Sequence, residues 1–151
     1  MPKPSIEIQF ASLALETAVS TIASTALIKK WVRSAIGCDG LITLRFVNLT
    51  EGKELNSHFR NKDKATNVLT FPYELSKNHV VADIIFCWPI IKQEAKEQGK
   101  APKAHLAHLI IHGCLHAQGL DHEHEKEAQK MEAREVALLK SLGFSDPYAH
   151  I

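Results

Sequence analysis

The order of apolar and polar residues divides the chain into short strands and longer helices. Alternating positions and runs of β-branched residues are typical of strands, whereas apolar residues three and four apart are typical of helices. The predicted strands are Ile6 to Phe10, Leu41 to Asn48, Val68 to Phe71 and Val80 to Cys87. The predicted helices are Leu13 to Ala35, a segment capped by Thr50 and ending at Arg60, Ile90 to Gln98, Pro102 to Ala117 and Glu125 to Leu142.

The predicted strands lie mainly in the first part of the chain, and the later part is mainly helical. Val80 to Cys87 is almost entirely apolar, which is typical of a central strand buried on both faces, whereas Pro72 is expected to stop the strand before it. This order predicts the α+β class, with a small mixed sheet packed against helices. At 151 residues, we expect a single domain over residues 1–151.

The helix from Pro102 to Ala117 is apolar almost all round, so it is predicted to be buried. Its four histidines, at intervals of three, four and four, form one narrow stripe: His105, His108, His112 and His116. Buried imidazoles need polar partners, because an unsatisfied buried polar group costs about 1 to 3 kcal/mol. The stripe therefore requires an explanation, either as ordinary core or surface histidines or as metal ligands.

The spacing beyond this stripe favours a metal. His112 and His116 lie one helical turn apart, Gly119 breaks the helix, and the returning chain can offer His122. Three imidazoles leave the fourth position of a tetrahedral zinc ion open, which is the catalytic arrangement. We therefore predict one zinc ion per chain held by these histidines, although imidazoles also suit nickel or copper.

Spacing alone leaves more than one role open for some of the neighbouring residues. His108 is interpreted as a residue that either faces the substrate or contacts a metal ligand, whereas His105, nearer the helix start, is expected to be solvated. Cys114 is two residues past His112 and points away from the stripe, so it is not a ligand. Asp121 either orients an imidazole or caps the turn.

The same spacing occurs in the zinc motif of metzincin proteases, but one group is missing. Those enzymes use a glutamate directly after the first histidine as the general base, and this chain has Gly113 there. Glycine cannot accept a proton, so the standard peptidase mechanism is excluded. Another hydrolase mechanism remains possible.

Composition restricts the partners and the compartment. The net charge of +1 gives no global positive field, so any RNA binding must depend on a local patch. Such a patch could come from Lys53, His58, Arg60, Lys62 and Lys64, although most runs of charge are simply solvated surface. Three well-separated cysteines, no signal peptide and no apolar stretch long enough to span a bilayer lead us to expect a cytoplasmic protein with no membrane partner.

Several motifs in the same order resemble the YbeY family of bacterial endoribonucleases. The segment HGCLHAQGLDH resembles the family signature H-G-x-L-H-L-x-G-Y-D-H, with Ala117 and Leu120 as departures. The segments FRNKDKATNVLTFPY, ADIIFC, EAQKME and LGFSDPY resemble further family segments, although Ala82 replaces a usual glycine. The resemblance extends from about Leu44 to Tyr148.

This resemblance implies a zincin-like central helix and zinc-dependent cleavage of single-stranded RNA. It also implies maturation of the 3′ end of small-subunit ribosomal RNA, ribosome quality control, and contact with the ribosome or its proteins. Arg60 occupies the family's arginine position and is predicted to be catalytic, with Lys62, Lys64 and His108 binding the substrate. Zinc hydroxide and the RNA 2′-hydroxyl are both possible nucleophiles. The alternatives are a metal-dependent hydrolase of another substrate and a non-enzymatic ribosome-assembly factor with structural zinc.

Overall fold

The computed structural model describes residues 3–60, 66–120 and 124–149, with the side chain of Arg60 excepted. The four strands are β1 (Ser5–Phe10), β2 (Asp39–Val47), β3 (Val68–Ser76) and β4 (His79–Cys87). The six helices are α1 (Leu13–Ile22), α2 (Thr25–Ala35), α3 (Leu49–Arg60), α4 (Trp88–Glu97), α5 (Pro102–Ala117) and α6 (Glu125–Ser141). Within these residues no helix is long and apolar enough to cross a membrane.

The strands form one mixed sheet in the order β1-β2-β4-β3. β2 pairs in parallel with both β1 and β4, whereas β3 runs antiparallel to β4. The apolar strand β4 is internal, as its sequence predicts, but only one of its faces is fully buried: Ala82, Ile84 and Phe86 are buried, whereas Val81, Asp83 and Ile85 on the other face are partly exposed. The predicted α+β class with a small mixed sheet is confirmed.

Helix α5 is the central helix of the packing, since it contacts α2, α4, α6, β3 and β4. Its apolar residues have almost no exposed surface, which agrees with a sequence that is apolar on nearly every side. Gly113 explains how closely the helix approaches the sheet. A Cβ atom at this position would lie 2.9 Å from Cγ2 of Ile84 and 3.5 Å from Cγ2 of Val68.

Three predicted boundaries are wrong for reasons that the structure shows, and β2 and α4 each also begin two residues earlier than predicted. The helix predicted from Leu13 to Ala35 is two helices, because Ala23 is extended and the hydroxyl of Ser24 accepts a hydrogen bond from the backbone N–H of Leu27 at 3.1 Å. A serine in this position starts a new helix by satisfying a free backbone donor.

The other two wrong boundaries are the start of α3 and the end of β3. Asn48 caps α3 in place of Thr50, since its side-chain oxygen accepts the backbone N–H of Glu51 at 2.9 Å. Strand β3 continues through Pro72, which pairs with Ala82, and has an irregularity before Glu74. Proline is tolerated there because β3 is the last strand on its side of the described sheet, so its missing N–H breaks no ladder.

Candidate metal centre

The four histidines of α5 form a continuous row along the helix. The ring centroids of His105 and His108 are 6.4 Å apart, those of His108 and His112 are 6.4 Å apart, and those of His112 and His116 are 6.3 Å apart. The helical repeat produces this row, because residues three and four apart share a face. His112 and His116 are both partly exposed, whereas the residues between them are buried.

A buried carboxylate on α6 contacts this row. The side chain of Glu135 is fully buried, and its Oε1 lies 3.0 Å from Nδ1 of His112 and 3.3 Å from Nε2 of His108. Burial by itself would raise the pKa of Glu135, but the hydrogen bonds from His108 and His112 outweigh it and lower the pKa to about 2. The group is therefore a carboxylate at neutral pH and can only accept hydrogen bonds.

Tyr148 reaches the same carboxylate from the C-terminal segment. Its hydroxyl lies 2.9 Å from Oε1 and 2.8 Å from Oε2 of Glu135, and 3.2 Å from Nε2 of His108. Burial and the hydrogen bond to Glu135 raise the pKa of Tyr148. The phenol therefore stays protonated and donates its hydrogen to the carboxylate.

The contacts of His108 favour one of its two interpretations. Its side chain is only 12% exposed, and Nε2 faces Glu135 and Tyr148. These contacts favour a role beside the predicted metal ligand His112, whereas the predicted contact with substrate stays a prediction.

The prediction that His105 is solvated is wrong. The residue is 4% exposed, and its Nε2 lies 3.0 Å from Oε1 of Glu94 on α4. Burial lowers the pKa of His105 despite the neighbouring carboxylate, so the ring is neutral at pH 7. The Asn67 amide donates to the same carboxylate at 3.1 Å, which joins the start of β3 to α4 and α5.

The predicted ligand set is only partly within the described residues. Helix α5 ends before Gly119, whose φ of 92° suits glycine and turns the chain as expected. His122 and Asp121 lie outside the described residues. Over the ranges 3–60, 66–120 and 124–149, no group of three potential ligands converges. Cys114 is buried among apolar residues, away from the described histidine contacts.

The predicted basic patch begins within α3, which carries Lys53 and His58, and continues beyond the end of this helix. Arg60 is the last residue of this helix, its side chain is not described, and Lys62 and Lys64 lie outside the described residues. Phe59, which precedes Arg60 in α3, is 57% exposed and packs edge-on against Phe71 with ring centroids 5.2 Å apart. A cavity of about 720 Å³ lies between α3 and the neighbouring strands β3 and β4, lined in part by these two rings.

Sequence reasoning missed Glu135 and Tyr148 as parts of the centre. A signal for Glu135 was available, because it lies four residues from both Met131 and Leu139 on the buried stripe of α6. A carboxylate on an apolar stripe requires buried partners, and the histidine row is a source of donors. Tyr148 gave no such signal, since its contact depends on how the C-terminal segment folds back.

The fold and this centre define an α+β protein with a candidate catalytic metal site on its central helix. The family described as Endoribonuclease YbeY matches residues 5–143. The chain is 70% identical over 143 residues to Endoribonuclease YbeY of Polynucleobacter asymbioticus, covering 95% of this chain and 92% of that protein. It is 49% identical over 146 residues to Endoribonuclease YbeY of an Acidovorax species (strain JS42), covering 96% and 95% respectively.

A solved structure agrees with the fold. The solution structure of TM1509 from Thermotoga maritima matches with a TM-score of 0.55 and 25% identity, covering 97% of this chain and all of that one. The chain belongs to the endoribonuclease YbeY family. This confirms the family indicated by the motifs and the predicted class of activity, an endoribonuclease acting on RNA. The zincin-like, metal-bound character of α5 stays a prediction.

Proposed function

We propose that this endoribonuclease is zinc-dependent, cleaves single-stranded RNA, and matures the 3′ end of small-subunit ribosomal RNA. The observation that supports zinc most directly is the contact between His112 Nδ1 and the buried Glu135 carboxylate. Metal-binding histidines characteristically donate their second ring N–H to a carboxylate, which leaves the other nitrogen for the ion.

We propose that one zinc ion binds at this centre. His112 and His116 lie on adjacent turns of a buried helix, and both are partly exposed. We propose His122 as the third ligand and Asp121 as a group that orients an imidazole. Held by these residues, a zinc ion would act as a Lewis acid: it would make water a better nucleophile near neutral pH and would polarise a phosphoryl oxygen.

We propose that Arg60 is the catalytic residue that stabilises the developing phosphoryl charge. A guanidinium offers two parallel N–H donors to phosphate oxygens, which a lysine cannot do. Lys62 and Lys64 would hold the RNA backbone electrostatically, and His108 would contribute to substrate binding at the helix. The end of α3 and the exposed Phe59 beside it support a nucleic-acid surface there, since exposed aromatic rings stack on unpaired bases.

The proposed partners are ribosomal RNA and the ribosome or its proteins, and the proposed compartment is the cytoplasm. The three cysteines are free thiols, which suits a reducing compartment. Ribosome quality control would follow from the same activity, since both need access to unpaired ribosomal RNA.

The position of Gly113 disfavours a peptidase. A side chain here would point toward Ile84 in the sheet, so the position after the first predicted ligand cannot present a general base. Packing as well as chemistry thus removes the group that the protease mechanism needs.

Three substrates separate the candidate functions. The purified protein would be incubated with a single-stranded RNA, its duplex form and casein, first as prepared, then with chelator, then with zinc restored. We expect cleavage of the single strand only, loss of cleavage with chelator, and recovery with zinc. Intact RNA with fully zinc-loaded protein would support a non-enzymatic assembly factor, whereas zinc-dependent cleavage of casein would support a peptidase.

A further inference from the structure

Glu135 is a buried charge whose contacts are directed at the histidine row. It lies on the stripe of α6 that packs into the core, and its side chain has no exposed surface. Placing an ion in such a position is costly unless it is fully hydrogen-bonded. Its partners are two histidines of α5 and one tyrosine: His108, His112 and Tyr148. A purely structural position on this stripe could be filled at lower cost by a leucine.

The contact with His112 determines where that ring carries its hydrogen. A neutral imidazole has one N–H, and a carboxylate can only accept a hydrogen bond. The 3.0 Å separation between Nδ1 and Oε1 of Glu135 therefore puts the hydrogen on Nδ1. Nε2 is left as a lone-pair donor, which is the form that a metal ligand requires.

The carboxylate is itself held in place by the C-terminal segment. The Tyr148 hydroxyl is within 2.9 Å of both oxygens of Glu135. The segment around this tyrosine is fixed by two further hydrogen bonds: the Tyr148 backbone N–H donates to Asp146 Oδ1 at 2.8 Å, and Lys100 Nζ donates to the Pro147 carbonyl at 2.9 Å. The orientation of the carboxylate is thereby tied to the packing of a segment remote in sequence from the histidine helix.

We propose that Glu135 is a positioning residue for the metal centre: it locks His112 in the Nδ1–H tautomer, and Tyr148 holds the carboxylate in the geometry that does so. The inference rests on the proposed function, in which His112 binds zinc through Nε2. It adds that the affinity of the site depends on a carboxylate of α6 and on the hydroxyl of Tyr148, beyond the three-histidine motif.

The tautomer is measured on the metal-free protein by long-range proton–nitrogen NMR correlation of the histidine side chains. Wild type should show His112 protonated at Nδ1 and unprotonated at Nε2. Glu135→Leu removes every acceptor at similar volume, so His112 should become a mixture of both tautomers. Zinc affinity, measured with the metal alone by competition against a chelator, should fall about 10- to 100-fold.

Tyr148→Phe is the milder variant, because it removes one hydroxyl and leaves the carboxylate. Glu135 still accepts the hydrogen bond from Nδ1, so the Nδ1–H form should remain the main tautomer of His112, but the carboxylate is held less firmly and zinc affinity should fall about tenfold. The matched controls are Glu16→Leu on the exposed side of α1 and Tyr73→Phe, whose hydroxyl bonds Asp83 on the sheet. Both controls should retain wild-type zinc affinity and the wild-type His112 signals.

The outcomes separate the inference from the proposed function. A wild-type His112 protonated at Nε2 would overturn the inference whatever the protein does with zinc. Zinc binding by Glu135→Leu as tight as that of wild type would also overturn the inference. Wild-type zinc affinity in Tyr148→Phe, as expected for the control Tyr73→Phe, would overturn the role assigned to Tyr148. If wild-type His112 carried its hydrogen on Nδ1 but the protein bound no zinc, the proposed metal site would be refuted, whereas the role of Glu135 in setting the His112 tautomer would be supported.

Discussion

At the scale of single residues, the proposed zinc ligands differ in how they are supported. His112 and His116 are one turn apart on α5, whereas His122 is proposed from spacing. We expect His112→Ala, His116→Ala or His122→Ala each to abolish stoichiometric zinc binding, because two imidazoles alone hold the ion weakly. Elemental analysis of the purified proteins gives the zinc content.

His79→Ala is the control for these variants, since His79 lies at the start of β4 with its ring 3.3 Å from the carboxylate of Asp39. It should keep one zinc per chain. Full zinc occupancy in His122→Ala would remove the third ligand from the assignment.

Arg60 is expected to act on phosphate and not on the fold or the metal. Arg60→Lys keeps the charge but loses the planar pair of donors, so it should bind RNA with moderate loss and cleave more slowly. Arg60→Glu should lose both binding and cleavage. If one phosphate contact is removed, the slope of log affinity against log salt concentration should become shallower by about one unit.

The control for the charge change is Arg33→Glu, at an exposed position in the last turn of α2. Zinc content and melting temperature should stay near wild type in all three variants. The competing interpretation pairs Arg60 with a nearby acid such as Glu54 or Asp63. It predicts a lower melting temperature for Arg60→Glu with an unchanged salt slope, and that result would transfer the phosphate contact to Lys62 and Lys64.

At the scale of elements, the distance between α5 and the sheet depends on Gly113. Alanine is the better helix former by up to about 1 kcal/mol, so propensity alone predicts that Gly113→Ala stabilises. The added Cβ would lie 2.9 Å from Cγ2 of Ile84, a β-branched and fully buried side chain that cannot rotate away. Overpacking costs about 1 to 3 kcal/mol, so we expect a net destabilisation of about 1 kcal/mol.

Urea unfolding measures this change, and Gly37→Ala is its matched control. Gly37 is exposed, and a methyl group added there would have no atom of the described residues within 4 Å, so alanine should be neutral or slightly stabilising. A Gly113→Ala protein at least as stable as Gly37→Ala would mean that α5 can move away from β4 at little cost.

At the scale of the whole molecule, the three thiols report whether the core stays closed. Cys87 and Cys114 are 2% and 0% exposed, whereas Cys38 is partly exposed. We expect one thiol to react quickly with a disulfide reagent in the native protein and all three in denaturant. Rapid reaction of two or three native thiols would show that the core opens around β4 or α5.

The pH dependence of this experiment follows from burial. Burial raises the pKa of Cys114 to about 12, whereas a thiol in the unfolded chain has a pKa of about 8.5. Above a pH of about 8.5 the unfolded chain therefore releases a proton that the native chain retains. This residue's contribution to stability should fall as pH rises from about 8.5 toward 12, and the native thiol should stay unreactive at a pH of about 9.

Features that depend on neighbours along the chain could be predicted from the sequence without the fold. The start and end of α5 follow from Pro102 and Gly119, and its burial follows from apolar residues on nearly every side. The internal position of β4 follows from its apolar run, and the family follows from motifs in a fixed order. These signals are local, so no knowledge of packing was needed to interpret them.

Contacts between residues that are far apart in the sequence could be identified only from the tertiary structure. The fold placed Glu135 against His112 across 23 residues and Tyr148 against His108 across 40, and it buried His105 against Glu94. Periodicity fixes which face of a helix is buried, but the partner across that face depends on how separate elements dock. The sequence pattern indicated a centre made of histidines alone, whereas the fold adds a carboxylate from α6 and the phenol of Tyr148. A buried carboxylate is stable only where it receives enough hydrogen bonds, and only the tertiary structure decides which donors reach it.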